Sequence, residues 1–206
     1  MSGAVKPVEA SYQPYLAEYL RSRRRLCGTI VFVGELITDL VQIEQLGEKK
    51  RDENFKFRSF MKSRDHSDRI LRRIAEGIQE RIDCTQCANC CKTSTTEVTG
   101  RDIEKLARHL HTTPERFIAD YTMLEEDEGQ MTRVLKFSEA AGCVFLEGNL
   151  CSVYDARPGI CQHYPHLVRG NGSIASRMWQ FVDRASVCPI VYNCLEAFKD
   201  ELRFRR

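Results

Sequence analysis

The chain has 206 residues, of which 42 % are hydrophobic and 29 % are charged. This is the balance of an ordinary globular protein, large enough for one compact domain or for one domain with a helical extension. Lys and Arg number 31 against 29 Asp and Glu, and a net charge of +2 argues against general electrostatic capture of nucleic acid. No segment supplies the about 20 predominantly apolar residues of a transmembrane helix, so we expect neither a membrane nor a nucleic acid as partner.

One stretch near the N-terminus has part of the pattern of an export signal. The arginine-rich residues 22–26 precede the apolar run 30–33. Glu35 and Asp39 stop that run and no Ala-x-Ala cleavage pattern follows, so the requirements for a signal peptide are mostly unmet. We therefore expect the chain to stay in the reducing cytoplasm, where cysteines serve as thiolate ligands rather than as disulfides.

The first part of the chain is predicted to be helical up to about residue 82. Apolar residues recur at helical spacing over 36–46, and Gly47 is the predicted end of that helix. The charged run 48–53 is typical of a solvated connector. A second long helix is predicted over 70–82. Its interleaved arginines are interpreted as a solvated face rather than as contacts to an acidic partner or to nucleic acid.

The second part of the chain mixes helices with short strands. Thr99 is a predicted N-cap, and Thr113-Pro114 opens the next helix at a position where the missing N–H of proline costs little. Short strands are predicted at 134–137 and 143–146. A tight turn at 147–149 is predicted to follow the second of these strands.

Helices dominate the first part and are joined by strands in the second, which predicts an α+β fold that is predominantly α. Nine of the ten cysteines lie in the second part of the chain. We therefore predict two parts. A helical N-terminal region over 1–83 packs with a small cysteine-rich metal-binding domain over 84–206.

The sharpest signal is the cluster Cys84-x2-Cys87-x2-Cys90-Cys91. Two-residue gaps let successive thiolates converge on one centre, and thiolate is the ligand that soft metals and iron–sulfur clusters select. Disulfides between such close neighbours are geometrically awkward, which favours metal. Adjacent side chains point in different directions, so Cys90 and Cys91 are not expected to serve one metal unless the loop bends sharply. One of the two is then left for a second centre, for catalysis or for packing.

The remaining cysteines of this region are single residues, namely Cys143, Cys151, Cys161, Cys188 and Cys194. The paired knuckles of structural zinc sites therefore occur only in the first cluster. Three closely spaced cysteines and one distant cysteine suit a four-iron cluster better. Cys188-Pro189 is also similar to the cysteine–proline that ends a ferredoxin cluster run. Spacing favours iron–sulfur over zinc, while ligand softness permits both.

Other side chains near these cysteines leave alternatives open. His163 and His166 are either ligands or ordinary surface or core histidines. Arg157 donates hydrogen bonds near a sulfur, binds an anionic substrate, or fixes the turn between two cysteine segments. Cys27 stands alone in an apolar stretch and is interpreted as a buried thiol. Packing explains Cys194 equally well.

The order and spacing of these elements resemble the YkgJ-type cysteine-cluster family, to which zinc or iron chelation is ascribed. The resemblance covers about 84–190, half of the chain, and leaves the helical first part unexplained. The matching elements are Cys84-x2-Cys87-x2-Cys90-Cys91, Thr99-Gly100-Arg101-Asp102-Ile103, Cys143-Val144-Phe145-Leu146, Cys151-Ser152-Val153-Tyr154-Asp155-Ala156-Arg157-Pro158, Cys161-x2-Tyr164-Pro165 and Cys188-Pro189. Ala88-Asn89 stands where the family often has a glycine in the cluster loop.

The resemblance implies a bacterial-type protein with a metal-ligand set of eight cysteines. These are Cys84, Cys87, Cys90, Cys91, Cys143, Cys151, Cys161 and Cys188. The same signature is similar to one in flagellin lysine N-methylases, which implies an iron–sulfur centre of the 4Fe-4S type. That analogy does not make the chain a methylase.

Three functions remain open on the sequence alone. The first is a metal-binding protein whose iron–sulfur cluster has a redox, electron-transfer or accessory role. The second is a zinc-stabilised module whose helices bind a protein partner. The third is an iron–sulfur-dependent modifying enzyme that uses the cluster or a free thiolate such as Cys91. No motif for a nucleophile–base pair supports the third, and the sequence indicates neither substrate nor reaction.

Overall fold

The computed structural model describes residues 35–63, 66–127 and 129–205. Cys27 and the arginine-rich residues 22–26 lie outside this part of the chain. Over the described ranges the chain forms ten α-helices and three two-stranded antiparallel sheets. The predicted fold class, α+β with helix predominating, is confirmed.

The helices and strands follow one another in the order predicted for a helical first part and a mixed second part. The helices are α1 (Leu40–Lys49), α2 (Arg51–Ser63), α3 (Asp68–Gln79), α4 (Cys84–Cys87), α5 (Asn89–Thr93), α6 (Gly100–His109), α7 (Pro114–Tyr121), α8 (Gly159–His163), α9 (Ile174–Arg184) and α10 (Pro189–Glu201). The strands are β1 (Thr122–Asp127), β2 (Gln130–Leu135), β3 (Phe137–Ser138), β4 (Gly142–Cys143), β5 (Leu146–Glu147) and β6 (Leu150–Cys151).

A helical core forms where α2 packs against α9 and α3 packs against α10. Each of these helices has one apolar face that it buries, as the helical spacing of the apolar residues requires. Large side chains that are at most 1 % exposed there are Phe57, Met61, Leu71, Ile74, Ile78, Phe181 and Phe198. Full burial of such a side chain contributes about 1.5–3 kcal/mol relative to exposure, so this core holds the helices that flank the cysteine region.

A second apolar cluster lies under the strands and beside α6 and α7. Its buried members include Ile103, Leu106, Phe117, Leu135, Phe145 and Val153. Cys143 and Cys151 are partly buried and pack against this cluster. The short strands that carry these two cysteines are therefore fixed by the same apolar cluster.

The end of the first described helix differs from the prediction. Gly47 lies inside α1, which continues to Lys49. A Cβ at Gly47 would stand 2.6 Å from the backbone nitrogen of Ser186 and would also collide with the Ser186 Cα. Glycine is therefore required because α1 lies directly against the turn after α9, and the prediction that it ends the helix is wrong.

The charged run 48–53 is not a solvated connector, so that prediction is also wrong. Most of it belongs to α1 and α2, and three of its side chains, Lys50, Arg51 and Glu53, pair with α9 and α10. Lys50 forms an ion pair with Glu196. Lys199, only 1 % exposed, donates to Glu53 at 2.6 Å and to Glu196 at 2.7 Å. A charge this deeply buried requires such partners, and these pairs join α1 and α2 to α10.

The predicted helix over 70–82 is α3, which buries Leu71, Ile74 and Ile78 but ends at Gln79. The helix starts predicted at Thr99 and Thr113 are confirmed, because each hydroxyl accepts a backbone N–H of the first turn.

The predicted strands are found in shorter pieces. Residues 134–137 are interrupted at Lys136, and the segment 143–146 turns at 144–145. The turn predicted at 147–149 joins β5 to β6, with Leu146 paired to Cys151. The sequence analysis missed β1, whose acidic second half does not show the apolar alternation of a half-buried strand.

No helix within the described residues is long and apolar enough to cross a membrane. The domain boundary predicted between 83 and 84 stays a prediction.

Candidate metal centre

The loop that carries the cysteine cluster is built from two very short helices. Asp83 caps α4, because its carboxylate accepts the backbone N–H of Thr85 at 2.8 Å and the Thr85 hydroxyl at 2.7 Å. Ala88 separates α4 from α5 with a left-handed backbone at φ 49°. A glycine would adopt that conformation without steric cost. The reversal turns Cys84 and Cys87 back toward the cysteines of α5.

Cys188 reaches this loop from a distant part of the chain. The side-chain amide of Asn89 donates to the carbonyl oxygen of Val187 at 2.8 Å. Cys188 follows directly as the N-cap of α10, with Pro189 in the first turn of that helix. Burial opposes ionisation of the Cys188 thiol, whereas the nearby backbone N–H groups of Val191 and Ile190 act to lower its pKa. The sulfur therefore sits at a helix N-terminus, where a thiolate is stabilised.

One small cavity of about 20 Å³ opens between these cysteines. Four of them line it, Cys84, Cys87, Cys90 and Cys188, and we name them the first cysteine group. The rest of the lining is mostly apolar and includes Ile82, Tyr164, Val187, Pro189 and Ile190. Cys188 is 7 % exposed, whereas Cys84 is at the surface. Burial raises the pKa of the Cys188 thiol to about 12.

Cys90 and Cys91 are adjacent in α5, and their sulfur atoms lie 4.0 Å apart. The hydrogen bond between the two thiols raises the pKa of Cys90, an effect that burial reinforces. The same bond lowers the pKa of Cys91, and the nearby cations of Arg157 and Lys92 lower it further. Cys91 is therefore the first of the two to ionise.

Four other thiols, those of Cys91, Cys143, Cys151 and Cys161, do not line this cavity but are near enough to influence one another's ionisation, and we name them the second cysteine group. The thiol of Cys143 interacts electrostatically with those of Cys91 and Cys151. Cys161 interacts with all three of the others. Burial raises the pKa of Cys161 to about 11, although a contact between its sulfur and the Thr96 hydroxyl at 3.8 Å acts in the opposite direction.

Asp102 positions the segment that carries Cys161. One carboxylate oxygen accepts the backbone N–H of Gly159 at 2.9 Å, where α8 begins. The other accepts the N–H and the hydroxyl of Thr99, at 3.0 and 2.6 Å. Burial opposes ionisation of this carboxyl, but the Thr99 and Gly159 donors hold its pKa below the usual range. The capping box of α6 thus also fixes the start of α8.

The hairpin of β5 and β6 is tied to the cysteine loop through Asn149. Its side-chain oxygen accepts from Lys92 at 2.6 Å, and its amide donates to the carbonyl oxygen of Gln86 at 3.0 Å. Cys151 lies two residues further along the chain, in β6. These two hydrogen bonds therefore hold Cys151 against α5.

Arg157 lies between the two groups. Its guanidinium is close enough to the thiols of Cys84, Cys91 and Cys151 to favour their ionised forms. The guanidinium carbon stands 3.5 Å from the centre of the Tyr154 ring. Its Nε is buried and has no hydrogen-bond partner in the described part of the chain. Of the roles considered for Arg157, this position fits a donor or cation beside the sulfurs.

The histidines and the last cysteine stand apart from both groups. His163 is exposed at the end of α8, and neither His163 nor His166 lines the cavity. Burial and the nearby Arg184 lower the pKa of His166 to about 4. Cys194 is fully buried within α10. Packing explains its burial.

The donor chemistry suits a soft metal. All nine cysteines of the described ranges are free thiols. No three His, Cys, Asp or Glu side chains within 35–63, 66–127 and 129–205 are arranged to hold one ion as they stand. Binding would therefore require the thiolates to turn toward the metal. The assignment of all eight cysteines as ligands stays a prediction.

Sequence reasoning missed the residues that bring the cysteines together. Asn89, Gly142 and Asn149 act through long-range contacts that no local pattern reveals. Asp102 was available as a signal, because Thr99-x2-Asp102 has the spacing of a capping box. The other hydrogen bond of Asp102, which it accepts from the backbone N–H of Gly159, joins segments distant in the sequence and could be seen only in the folded structure.

Comparison with family models finds one match. The model of the CxxCxxCC family, whose members are ascribed a zinc- or iron-chelating domain, matches residues 83–189. The match covers just over half of the chain and confirms the resemblance found in the motifs. Searches of curated proteins and of solved structures find no match.

Proposed function

The chain belongs to the CxxCxxCC family of zinc- or iron-chelating domains, and on that basis we propose a protein that holds an iron–sulfur cluster in a redox or accessory role. Metal binding follows from the family. Iron–sulfur chemistry is the part that rests on the geometry of the first cysteine group. The free state of the nine described cysteines supports a reducing, cytoplasmic setting.

One observation supports the proposal above the others, the meeting of Cys188-Pro189 with Cys84, Cys87 and Cys90 at one cavity. In two-cluster ferredoxins, a Cys-x2-Cys-x2-Cys run is completed by a cysteine followed by proline from a distant part of the chain. The first cysteine group has the same composition and the same order. Its fourth member, Cys188, is distant in sequence, but the hydrogen bond from the Asn89 side chain to the Val187 carbonyl brings it to the cysteine loop.

The protein's own residues suit a thiolate-bound cluster. Cys188 sits at the N-terminus of α10, and most of the side chains that line the cavity beside the cysteines are apolar. Arg157 supplies a positive charge near Cys84. When bound, an iron–sulfur cluster supplies one-electron chemistry, with a potential set by hydrogen bonds to sulfur, net charge and solvent exposure.

Zinc is the second candidate, and the size of the cavity favours it. A space of about 20 Å³ holds roughly one water-sized atom. Four thiolates form a common ligand set of structural zinc. A zinc-stabilised interaction module would use the same four cysteines without redox chemistry.

The test is metal and sulfide analysis of the full chain purified without oxygen, together with its visible absorption spectrum. We expect iron, acid-labile sulfide and a brown chromophore. We also expect Cys188→Ser to reduce all three. Cys194→Ala is the matched control, because it removes a buried thiol of the same helix from outside the first group. Stoichiometric zinc without sulfide or colour would select the second candidate, and absence of both metals would overturn the proposal.

A further inference from the structure

The second cysteine group stands apart from the cavity of the first. None of its four members lines that cavity. Cys91 leaves α5 beside Cys90, and adjacent side chains on a helix diverge by about 100° because the period is 3.6 residues. Cys143 and Cys151 lie on short strands that pack against the apolar cluster under the sheets. The two groups therefore rest on different parts of the fold.

The hairpin of β5 and β6 brings Cys151 toward the helix that carries Cys91. Asn149, two residues before Cys151, accepts from Lys92, which directly follows Cys91, at 2.6 Å. Cys151 pairs with Leu146 across the hairpin. The fold therefore ties Cys151 to the neighbourhood of Cys91.

Cys143 and Cys161 are held in place by contacts with other segments of the chain. The backbone of Gly142 lies against that of Cys91, so β4 and α5 are in direct contact. Thr96 lies against the Cys161 sulfur at 3.8 Å. Asp102 fixes the start of α8, which carries Cys161. The four cysteines thus come from four segments, and the cation of Arg157 lies near two of them, Cys91 and Cys151.

We propose that Cys91, Cys143, Cys151 and Cys161 form a second four-thiolate metal site, separate from the site of Cys84, Cys87, Cys90 and Cys188. The two sites adjoin at Cys90 and Cys91, whose sulfurs are 4.0 Å apart. Each site takes a soft divalent cation or an iron–sulfur cluster, and each thiol releases its proton to solvent on binding. This inference rests on the proposed metal-binding function, but it does not depend on iron as the metal.

The experiment is a titration of the full chain, freed of metal and kept reduced, with Co²⁺ alone. Cobalt bound by thiolates absorbs visibly, so both the number of ions and the ligand type can be read. We expect two equivalents per chain, each with the spectrum of a four-thiolate site. A single equivalent would overturn the second site. More than two equivalents would also overturn it, because they would indicate one thiolate-bridged cluster built from all eight cysteines.

Variants separate the two sites. We expect Cys84→Ser with Cys188→Ser to leave one equivalent, and Cys143→Ser with Cys151→Ser to leave the other. Cys194→Ala should keep both, as a cysteine outside each group. Loss of both equivalents in either double variant, with the helical circular dichroism intact, would overturn the partition. If a double variant fails to fold, the count and spectrum of the unmodified chain still decide.

The outcomes also separate this inference from the proposed function. Two equivalents of cobalt in a chain that carries zinc when isolated would support the second site and overturn the iron–sulfur proposal. One equivalent in a chain isolated with iron and sulfide would do the reverse. No cobalt binding at all would overturn the second site, whereas the metal and sulfide content of the isolated chain decides the proposed function.

Discussion

Gly142 lies directly against the backbone of Cys91. A Cβ built on Gly142 would stand 2.6 Å from the carbonyl oxygen of Cys91 and 3.0 Å from the Cα of Lys92. Gly142 also has a backbone φ of +75°, a conformation that residues with a Cβ adopt only at an energetic cost. This contact joins the strand that carries Cys143 to the helix that carries Cys91.

We therefore expect Gly142→Ala to separate Cys143 from Cys91. The left-handed backbone alone costs about 1–2 kcal/mol, and the collision with backbone atoms of α5 adds to it. The free energy of unfolding, measured in urea, should fall by more than about 2 kcal/mol. The Co²⁺ capacity should fall from two equivalents to one.

Gly148→Ala is the matched control for this substitution. Gly148 has a similar φ of +63°, but nothing lies within 4 Å of the Cβ position. Gly148→Ala should lower the free energy of unfolding only by the cost of the backbone conformation, and the variant should still bind two equivalents of Co²⁺. Equal effects of the two substitutions would show that the contact with Cys91 is not what places Cys143.

Asn89 is expected to hold Cys188 at the cluster loop. Asn89→Ala removes the donor to the Val187 carbonyl, and loss of this partly buried hydrogen bond costs about 1 kcal/mol. Metal of the first group should then be lost to a chelator at a lower concentration, while metal of the second group is retained. Asn89→Asp has the same shape but cannot donate, so it should behave like the alanine variant. Chelator competition that matches the unmodified chain in both variants would contradict this role.

Arg157 is expected to tune the centres through its charge. A cation near a thiolate-bound centre stabilises the more reduced, more negative state. Arg157→Met should therefore lower the reduction potential of an iron–sulfur centre by about 50 mV, the equivalent of about 1 kcal/mol for one electron. Arg157→Lys retains the charge and should recover part of the shift. Potentiometric titration of the visible spectrum measures it, and an unchanged potential in Arg157→Met would rule out this role.

Buried thiols make the metal-free protein sensitive to alkali. Burial raises the pKa of Cys161 to about 11 and of Cys188 to about 12, against an ordinary value of 9.0. As pH rises, these two thiols ionise in the unfolded chain before they ionise in the folded chain. The free energy of unfolding that they contribute is therefore fully present below pH 9.0 and falls as pH rises toward 11 and 12. Urea unfolding of the chelator-treated chain from about pH 8 to about pH 11, a range that spans the ordinary thiol pKa, measures this fall in the free energy of unfolding.

The double variant Cys161→Ala with Cys188→Ala provides the comparison for that titration. It should lose less stability over the same pH range, since two of the titrating thiols are absent. The metal-loaded chain should also be less affected, because its ligands are already thiolates. An identical pH dependence in the variant would show that other groups cause the effect.

Several features of this protein were determined locally and could be predicted from the sequence. The start of α6 at Thr99 and of α7 at Thr113 follows from side chains that bond to their own first turn. The apolar spacing of α3 predicts its buried face. Both depend on residues within a few positions of one another, and so the pattern in the sequence carries the information.

The cysteine loop shows where local information ends. The spacing of Cys84, Cys87 and Cys90 indicates a metal loop by itself. It does not show which distant cysteine completes the loop, nor where Cys91 points. Those answers depend on one hydrogen bond, from the side-chain amide of Asn89 to the carbonyl oxygen of Val187 98 positions away, and on the contact of Gly142 with Cys91.

The same division explains the two predictions that failed. Gly47 has the sequence signature of a helix end, and residues 48–53 have that of a connector. Each is buried or paired only because α9 and α10 lie beside it. The sequence by itself determined the helices whose caps and apolar spacing are local, together with the metal-binding character of the chain. The tertiary structure decided which cysteines meet at the cavity of the first group, because steric fit and hydrogen bonds between distant segments exist only once the chain has folded.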